Sequence, residues 1–140
     1  MFLGEYFHSL DEKGRVVMPS SFRDSLKAGC VVTKGQDGQL LIYTPEEFSR
    51  RATEVVSERG KNRAGRRFAR TVFAGADSVG VTAGGRVNLK PDLRKFAELE
   101  SNTEVVVLGV LDHVEVWNKD KYLSDREAGD SIYLEEDEED

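Results

Sequence analysis

Gly14-Arg15 and Gly85-Arg86 each place an arginine directly after a glycine in this 140-residue chain. An arginine close to a DNA duplex can donate two hydrogen bonds to O6 and N7 of one guanine. A preceding glycine lets the backbone approach without an intervening side chain. The same arginines could instead pair with carboxylates inside the protein and lock the turns, so the pattern alone leaves both roles open.

The other polar residues of the two turns differ between the pairs. Asp11 stands four residues before Arg15, and Thr82 occupies the same place before Arg86. Asp11 could orient the guanidinium or accept hydrogen bonds from the amides of the turn. If it orients Arg15, we expect Thr82 to orient Arg86 more weakly. Lys13 lacks the planar fork of arginine and would more naturally hold a phosphate.

The two pairs belong to an internal repeat that spans most of the chain. An offset of 71 residues aligns the Gly-Arg pairs and places Phe2-x-Gly4 on Phe73-x-Gly75. Each copy is predicted to contain a strand, a tight turn with Gly-Arg, a second strand, a short helix and a hairpin. Arg23 and Arg94 occupy matching positions in the short helices, and we expect them to pair with neighbouring carboxylates.

Hydrophobic periodicity and turn residues place the elements of both copies. The predicted strands cover 6–10, 15–18, 31–34, 40–43, 104–109 and 114–117, and the predicted short helices cover 19–29 and 91–99. Between the copies, two helices over 45–58 and 62–73 are broken at Gly60. The second of these carries Arg63, Arg66, Arg67 and Arg70. These arginines form a solvated face or a contact between subunits, or lie near a phosphate backbone.

Charge is distributed unevenly along the chain. Residues 1–75 carry 13 Lys and Arg against 9 Asp and Glu, whereas residues 76–140 carry 7 against 17. The last six residues are all acidic, so their combined charge equals the net charge of the whole chain, -6. This run predicts an acidic, disordered tail over 123–140 that is solvated or competes with DNA for the basic surface.

Several function classes find no support in the sequence. It has no glycine-rich phosphate loop, no Cys/His spacing typical of metal sites and no nucleophile with an evident base, so we expect no enzyme, cofactor or metal. Cys30 is the only cysteine, which fits a reducing cytosol, and we expect it to be buried. His8 and His113 are expected to be structural. No apolar run approaches the length of a membrane helix, which predicts a soluble cytoplasmic protein.

The stretch H-S-L-D-E-K-G-R-V-V-M-P-S-S-F-R, residues 8–23, resembles the signature of the MraZ family. Residues 73–89, F-A-G-A-D-S-V-G-V-T-A-G-G-R-V-N-L, resemble the second half of that family. The resemblance implies an α+β, mainly β fold: a tandem AbrB-like, swapped-hairpin β-barrel of double-psi type, formed by two repeats with short helices. The implied parts are a first SpoVT-AbrB repeat at 5–48, a helical connection at 49–75, a second repeat at 76–122 and the tail.

The same resemblance implies a regulator that binds double-stranded DNA upstream of the division and cell-wall gene cluster and represses its own promoter. Members of the family resemble ring-shaped homo-oligomers that recognise G-rich direct repeats, associated with the nucleoid. The implied DNA-binding residues are Arg15, Arg86 and Lys13, with Asp11, Gly14, Thr82 and Gly85 in support. The chain departs from the family pattern at Thr82 and at Lys90, where an aspartate and a proline are expected. An AbrB-like antitoxin or a protein-interaction module is the alternative.

Overall fold

The computed structural model describes residues 1–100 and 102–136. Its strands are β1 Phe2–Ser9, β2 Arg15–Val17, β3 Cys30–Lys34, β4 Leu40–Tyr43, β5 Asp77–Val79, β6 Arg86–Asn88, β7 Glu104–Leu111 and β8 His113–Asn118. Its helices are α1 Ser20–Leu26, α2 Pro45–Arg59, α3 Arg63–Ala69, α4 Pro91–Phe96 and α5 Lys119–Glu135. A π-helical turn, Arg70–Ala74, directly continues α3.

The two repeats exchange strands instead of folding side by side. The first strand of each repeat pairs with the third strand of the other, β1 with β7 and β5 with β3. The second strands, β2 and β6, pair with each other, and so do the fourth strands, β4 and β8. The larger antiparallel sheet therefore has the order β1-β7-β8-β4-β3-β5, beside a two-stranded β2-β6 ribbon. Neither repeat could complete these sheets alone.

The hydrophobic core lies on one side of each strand, as the two-residue period of a strand requires. Val16 of β2 and Val87 of β6 face each other directly and are fully buried. From α1, Phe22 meets the ring of Phe2 edge-on with centroids 5.1 Å apart. Other fully buried large side chains include Leu10, Met18, Leu26, Leu40, Ile42, Leu89, Leu93, Leu99 and Val32. Each such burial contributes about 1.5 to 3 kcal/mol.

The helical connection is delimited by capping residues. Thr44 accepts a hydrogen bond at 3.2 Å from the backbone of Glu47 and so caps α2. Gly60 ends α2 with φ +74, a left-handed conformation that favours glycine. Asn62 then caps α3 by accepting from the backbone of Gly65 at 2.8 Å. The predicted break at Gly60 is therefore confirmed.

The connection packs on the face of the large sheet opposite the core. Phe48 of α2 lies with its ring centroid 6.0 Å from that of Tyr43 and 6.1 Å from that of Phe73. The hydroxyl of Thr33 donates to the backbone oxygen of Val72 at 3.4 Å. These contacts fix α2 and the π-helical turn over β3 and β4.

The segment predicted to be a disordered tail is largely helical. Residues 123–135 belong to α5, whose first turn is capped by Asn118 accepting from the backbone of Lys121 at 3.1 Å. Tyr122 packs on Trp117 with centroids 5.8 Å apart, and Arg126 pairs with Glu5. These anchors hold the start of a helix that composition alone did not indicate, and residues 137–140 lie outside the described residues.

One further expectation differs from the structure. The chain is α+β, but among the described residues helices contain more residues than strands, so the prediction of a mainly β protein is wrong, because α5 and the connection add helix. Phe73 lies in the π-helical turn, within the range predicted to be helical, whereas Phe2, on which the repeat aligns it, lies in β1. Within the described residues, no helix has both the length and the apolar character to cross a bilayer.

The turn glycines hold the two repeats together. Gly14 and Gly85 have φ angles of +76 and +79, which favour glycine. The carbonyl of Gly85 accepts from the backbone of Met18 at 2.8 Å, and that of Gly14 accepts from the backbone of Leu89 at 3.1 Å. Each turn of one repeat is thus hydrogen-bonded to the segment that leads into the short helix of the other.

Arg23 and Arg94 cover these glycines across the repeats. The Nε of Arg23 donates to the carbonyl of Met18 at 3.0 Å, and the Nε of Arg94 donates to that of Leu89 at 2.8 Å. A Cβ at Gly85 would lie 2.2 Å from Nε of Arg23, and one at Gly14 would lie 2.5 Å from Nε of Arg94. The expected structural role is present, but the partners are backbone carbonyls and not carboxylates.

Replacing Gly85 with alanine should therefore destabilise the whole protein. The left-handed backbone costs a non-glycine residue about 1 to 2 kcal/mol, and the new methyl group also displaces Arg23. Urea denaturation should show a loss of at least that size for Gly85→Ala. The control is Gly129→Ala on α5, where a new methyl group would meet nothing within 4 Å beyond its chain neighbours and its own helix backbone, and it should be neutral or slightly stabilising. Equal stability of the two variants would contradict this role of Gly85.

A second prediction concerns His113, which lies between two carboxylates. Its ring nitrogens are 2.8 Å from Glu115 and 2.8 Å from Asp112. The hydrogen bond to Glu115, reinforced by that to Asp112, raises the pKa of His113 above its ordinary 6.5 although burial opposes this. Protonated His113 thus stabilises the fold fully below about pH 6.5, and this contribution disappears as the pH rises through the raised pKa.

We expect His113→Gln to lose stability at acidic pH and to approach the wild type at alkaline pH. A hydrogen bond to a charged group contributes about 1.5 to 3 kcal/mol, which bounds the loss. The measurement is the free energy of unfolding of both proteins in urea from about pH 5.5 to about pH 9. A difference between them that stays constant over this range would show that the charge of His113 does not contribute.

Candidate nucleic-acid interface

The β2-β6 ribbon brings the two predicted arginines onto one face. Val16 and Val87 point into the core, so their neighbours along each strand point outward. Arg15 lies opposite Asn88, and Arg86 lies opposite Val17. Arg15 and Arg86 therefore occupy diagonal positions on the outward face, which in an antiparallel pair are about 7 to 8 Å apart.

Asp11 organises the first turn through both of its carboxylate oxygens. Oδ1 accepts the backbone N–H groups of Lys13 at 2.9 Å and Arg15 at 2.8 Å. Oδ2 accepts Nε of Arg15 at 2.8 Å. Asp11 thus caps the amides and orients the guanidinium, the two roles that the sequence left as alternatives.

Asp11 also approaches the arginine of the other repeat. Its Oδ2 lies 3.7 Å from Nε of Arg86, within ion-pair distance. Thr82 accepts the backbone N–H of Arg86 at 3.0 Å but is not observed to hold the guanidinium. One carboxylate of the first repeat therefore lies within ion-pair distance of both arginines.

The cross-repeat contact could not be found from the sequence, because only the pairing of β2 with β6 brings Asp11 to Arg86. Val17 and Asn88 were also not identified from the sequence as residues of the outward face. Each stands two residues after an arginine of the motif, and the two-residue period of a strand would have indicated them. The outward face of the ribbon thus combines two guanidinium groups, an amide and an apolar side chain.

Hydrogen bonds within the first turn stabilise the charged form of Asp11. The backbone N–H of Arg15 lowers the pKa of Asp11, and burial opposes this in part. Hydrogen bonds from the Arg15 side chain and from the backbone N–H of Lys13 lower the pKa further. Asp11 is therefore ionised at neutral pH. Because it engages Arg15 through Nε, both terminal nitrogens of that guanidinium can still donate to a ligand.

The remaining candidates lie away from the ribbon. Cys30 is buried at the start of β3, as predicted, and burial raises the pKa of its thiol to about 11. His113 lies between the carboxylates of Asp112 and Glu115, and His8 lies in β1. The arginines of α3 are exposed on the helical connection. Among the described residues, no group of three or more His, Cys, Asp or Glu side chains is arranged to hold a metal ion.

Comparison with known proteins places the whole chain in one family. The model of the MraZ protein family, whose description adds the words "antitoxin-like", matches residues 1–71 and again residues 72–136. The two matches follow the two repeats found in the fold.

Curated relatives agree over nearly the full length. A protein of Nocardia farcinica named "Transcriptional regulator MraZ" is 41% identical over 91% of this chain and 90% of its own length. Proteins of the same name from Rhodococcus jostii and Acetivibrio thermocellus are 39% and 43% identical, over 95% and 89% of this chain and 92% and 85% of their own lengths. This chain therefore belongs to the MraZ family.

Proposed function

We propose that this chain is a sequence-specific DNA-binding regulator of transcription that inserts the β2-β6 ribbon into the major groove. The observation that carries the proposal is the placement of Arg15 and Arg86, one from each repeat, on one outward face beside a shared carboxylate. The major groove is wide enough to admit a two-stranded β-ribbon. The relatives' name, "Transcriptional regulator MraZ", supports the same role.

The chemistry of the ribbon face suits base recognition. The terminal nitrogens of each guanidinium donate to O6 and N7 of guanine, which is the commonest specific contact of arginine. Asn88 can read adenine through its amide, and Val17 can contact a thymine methyl group. Lys13, exposed on the first turn, neutralises a phosphate and so positions the ribbon without reading sequence.

The finer architecture belongs to this proposal. The exchange of strands between the repeats supports a swapped-hairpin barrel of the AbrB type, with repeats at 5–48 and 76–122 and a helical connection at 49–75. We infer that the protein acts in the cytoplasm, on the nucleoid. Its proposed targets are its own promoter, as a repressor, and the division and cell-wall gene cluster. No catalytic step is part of this function.

Assembly of copies explains how a chain with a net charge of -6 holds DNA. Head-to-tail contacts present the same face of every subunit in the same orientation, and such contacts can close into a ring. Neighbouring subunits would then read direct repeats spaced by about one helical turn, about 10 base pairs. Several weak sites engaged together gain affinity through effective concentration.

Substitution of either arginine should weaken specific binding. We expect Arg15→Ala and Arg86→Ala each to raise the Kd for G-rich direct-repeat DNA about 5- to 150-fold, since a bidentate pair is worth about 1 to 3 kcal/mol. Arg15→Lys and Arg86→Lys keep the charge but lose the fork, so they should lose discrimination against scrambled DNA more than total affinity. The measurement is fluorescence anisotropy at two salt concentrations.

The matched control is Lys27→Ala, which removes an exposed cation just after the end of α1 that pairs with Asp24. It should bind like the wild type. If both arginine variants stay folded and also bind G-rich and scrambled DNA like the wild type, the ribbon is not the reading surface. Loss in one variant only would show that the repeats contribute unequally.

A second candidate function is that of an antitoxin-like protein, which the family description favours. Such a protein captures a protein partner besides its own promoter. Affinity capture with the purified chain, with and without G-rich DNA, separates the two functions. A partner bound at fixed stoichiometry, whose toxicity this chain neutralises, would establish the second candidate.

A further inference from the structure

Positive charge is concentrated in the second half of the helical connection. Residues 59–76 contain six of the 20 Lys and Arg of the chain and no Asp or Glu, although the chain as a whole has a net charge of -6. Four of these six are arginines of α3 and of the π-helical turn that continues it, and all four are exposed to solvent: Arg63, Arg66, Arg67 and Arg70. A local excess of positive charge on an acidic protein is typical of a surface that receives an anionic partner.

Helical geometry places these four residues on one side of the helix, called here the arginine stripe. Residues three, four and seven positions apart lie on the same side of a helix. Arg66, Arg67 and Arg70 follow Arg63 at these intervals. At 3.6 residues per turn, the four positions fall within an arc of about 100°, and at a rise of about 1.5 Å per residue they extend over about 10.5 Å.

The opposite side of the same helix faces the protein. Phe68 and Val72 line a cavity over the large sheet together with Thr33 of β3. Gly65 is buried against the end of α2, where a Cβ would lie 2.3 Å from the carbonyl oxygen of Gly60. Because these contacts fix the inward side of the helix, the arginine stripe points away from the large sheet.

The guanidinium groups of the stripe are available to an external ligand. Among residues 1–100 and 102–136, no carboxylate lies within 4 Å of a stripe arginine. Arg66 donates through Nη1 to the backbone oxygen of Lys61 at 2.6 Å. The neighbouring Arg59 lies over the ring of Phe68, 3.9 Å from its centroid. The stripe therefore presents a dense set of donors on a well-packed helix.

The composition of this surface fits a phosphate backbone better than a protein. Phe68 is the only large apolar residue between positions 59 and 71, and its ring lines the cavity. The buried centre of a protein interface is apolar, and this surface has no such centre. A phosphate needs only donors, and the planar fork of arginine can give it two parallel hydrogen bonds. Phosphates of one DNA strand follow at about 3.4 Å along the axis, so the stripe matches about three base-pair steps.

The stripe and the β2-β6 ribbon lie on different sides of the large sheet. Val16 and Val87 of the ribbon share the core with Val32 and Leu40 of the sheet. Thr33, next to Val32, lines the cavity beneath the helical connection instead. Packed sheets are about 10 Å apart and a helix is about 10 Å thick, so the two outward surfaces are at least about 20 Å apart. A short duplex on the ribbon cannot bend round to the stripe, because DNA is stiff over about 150 base pairs.

We propose that the arginine stripe binds the phosphate backbone of a second double-stranded DNA segment, so that the protein bridges two duplexes. The ribbon reads the bases of one segment, and the stripe holds the other without regard to its sequence. The bridging rests on the proposed function of the ribbon, whereas the affinity of the stripe for phosphate does not. A second segment on the same DNA molecule would be held as a loop.

Two variants with the same change of charge test this surface. The stripe variant is Arg67→Gln with Arg70→Gln, and the control variant is Lys27→Gln with Lys95→Gln. All four side chains are exposed, so both variants should unfold in urea like the wild type.

The first measurement is the salt dependence of binding to a scrambled duplex, followed by fluorescence anisotropy. It uses protein whose ribbon already carries Arg15→Ala and Arg86→Ala, so that the stripe is tested without the ribbon arginines. Each phosphate contact contributes about 0.9 to the slope of log K against log salt concentration. We expect the stripe variant to reduce this slope by about 1.8 and the control variant to leave it unchanged. An unchanged slope in the stripe variant would overturn the proposal.

The second measurement detects bridging with an intact ribbon. A G-rich duplex is fixed to beads and loaded with protein, and the capture of a fluorescent scrambled duplex is then titrated. The wild type and the control variant should capture the second duplex. The stripe variant should stay bound to the fixed duplex, but its Kd for the second duplex should rise at least about 10-fold, because hydrogen bonds to charged groups are lost.

Two further results would contradict a phosphate-binding stripe. Capture of the second duplex by the stripe variant as by the wild type would assign any bridging to the ribbons of two copies. Unchanged DNA binding with a different mass in light scattering would assign the stripe to a contact between protein chains. Failure of the proposed function is recognised separately, since Arg15→Ala and Arg86→Ala would then leave the preference for G-rich DNA intact. The slope measurement still decides the role of the stripe in that case.

Discussion

The pairing of β2 with β6 ties the two repeats into one core. At its centre Val16 and Val87 face each other in the core, with no exposure to solvent. On either side, the carbonyls of Gly14 and Gly85 accept backbone hydrogen bonds from the other repeat. The two repeats are therefore stable only as one unit, in which each completes the sheet, the turn and the helix entry of the other.

The same pairing explains why the functional candidates converge. Because side chains alternate along a strand, Arg15 and Arg86 point outward when Val16 of β2 and Val87 of β6 point into the core. The symmetry is not complete, because the second repeat has Thr82 where the first has Asp11. A single carboxylate lies close enough to both guanidinium groups to orient them, at 2.8 and 3.7 Å from their Nε atoms. The intertwined fold thus makes one site from two unequal motifs.

The sequence predicted what local chemistry determines. The Gly-Arg turns, the break of the connection at Gly60 and the burial of Cys30 depend on neighbouring residues, and the structure has them as expected. The residues of the chain did not by themselves predict that the repeats exchange strands, because β2 and β6 are separated by about 70 positions along the chain. The helical character of residues 123–135 was missed because its anchors, Trp117 and Glu5, lie outside that segment.

We expect Asp11 to orient Arg86 across the repeats, so that loss of the carboxylate matters only while Arg86 is present. The most direct measurement introduces Asp11→Asn into Arg15→Ala and into Arg15→Ala/Arg86→Ala. In each case, the ratio of Kd for scrambled DNA to Kd for G-rich DNA is compared. We predict that Asp11→Asn lowers this ratio while Arg86 is present, by a coupling of about 0.5 to 3 kcal/mol, and has no further effect once Arg86 is removed. An unchanged ratio in the Arg15→Ala background would contradict the shared site.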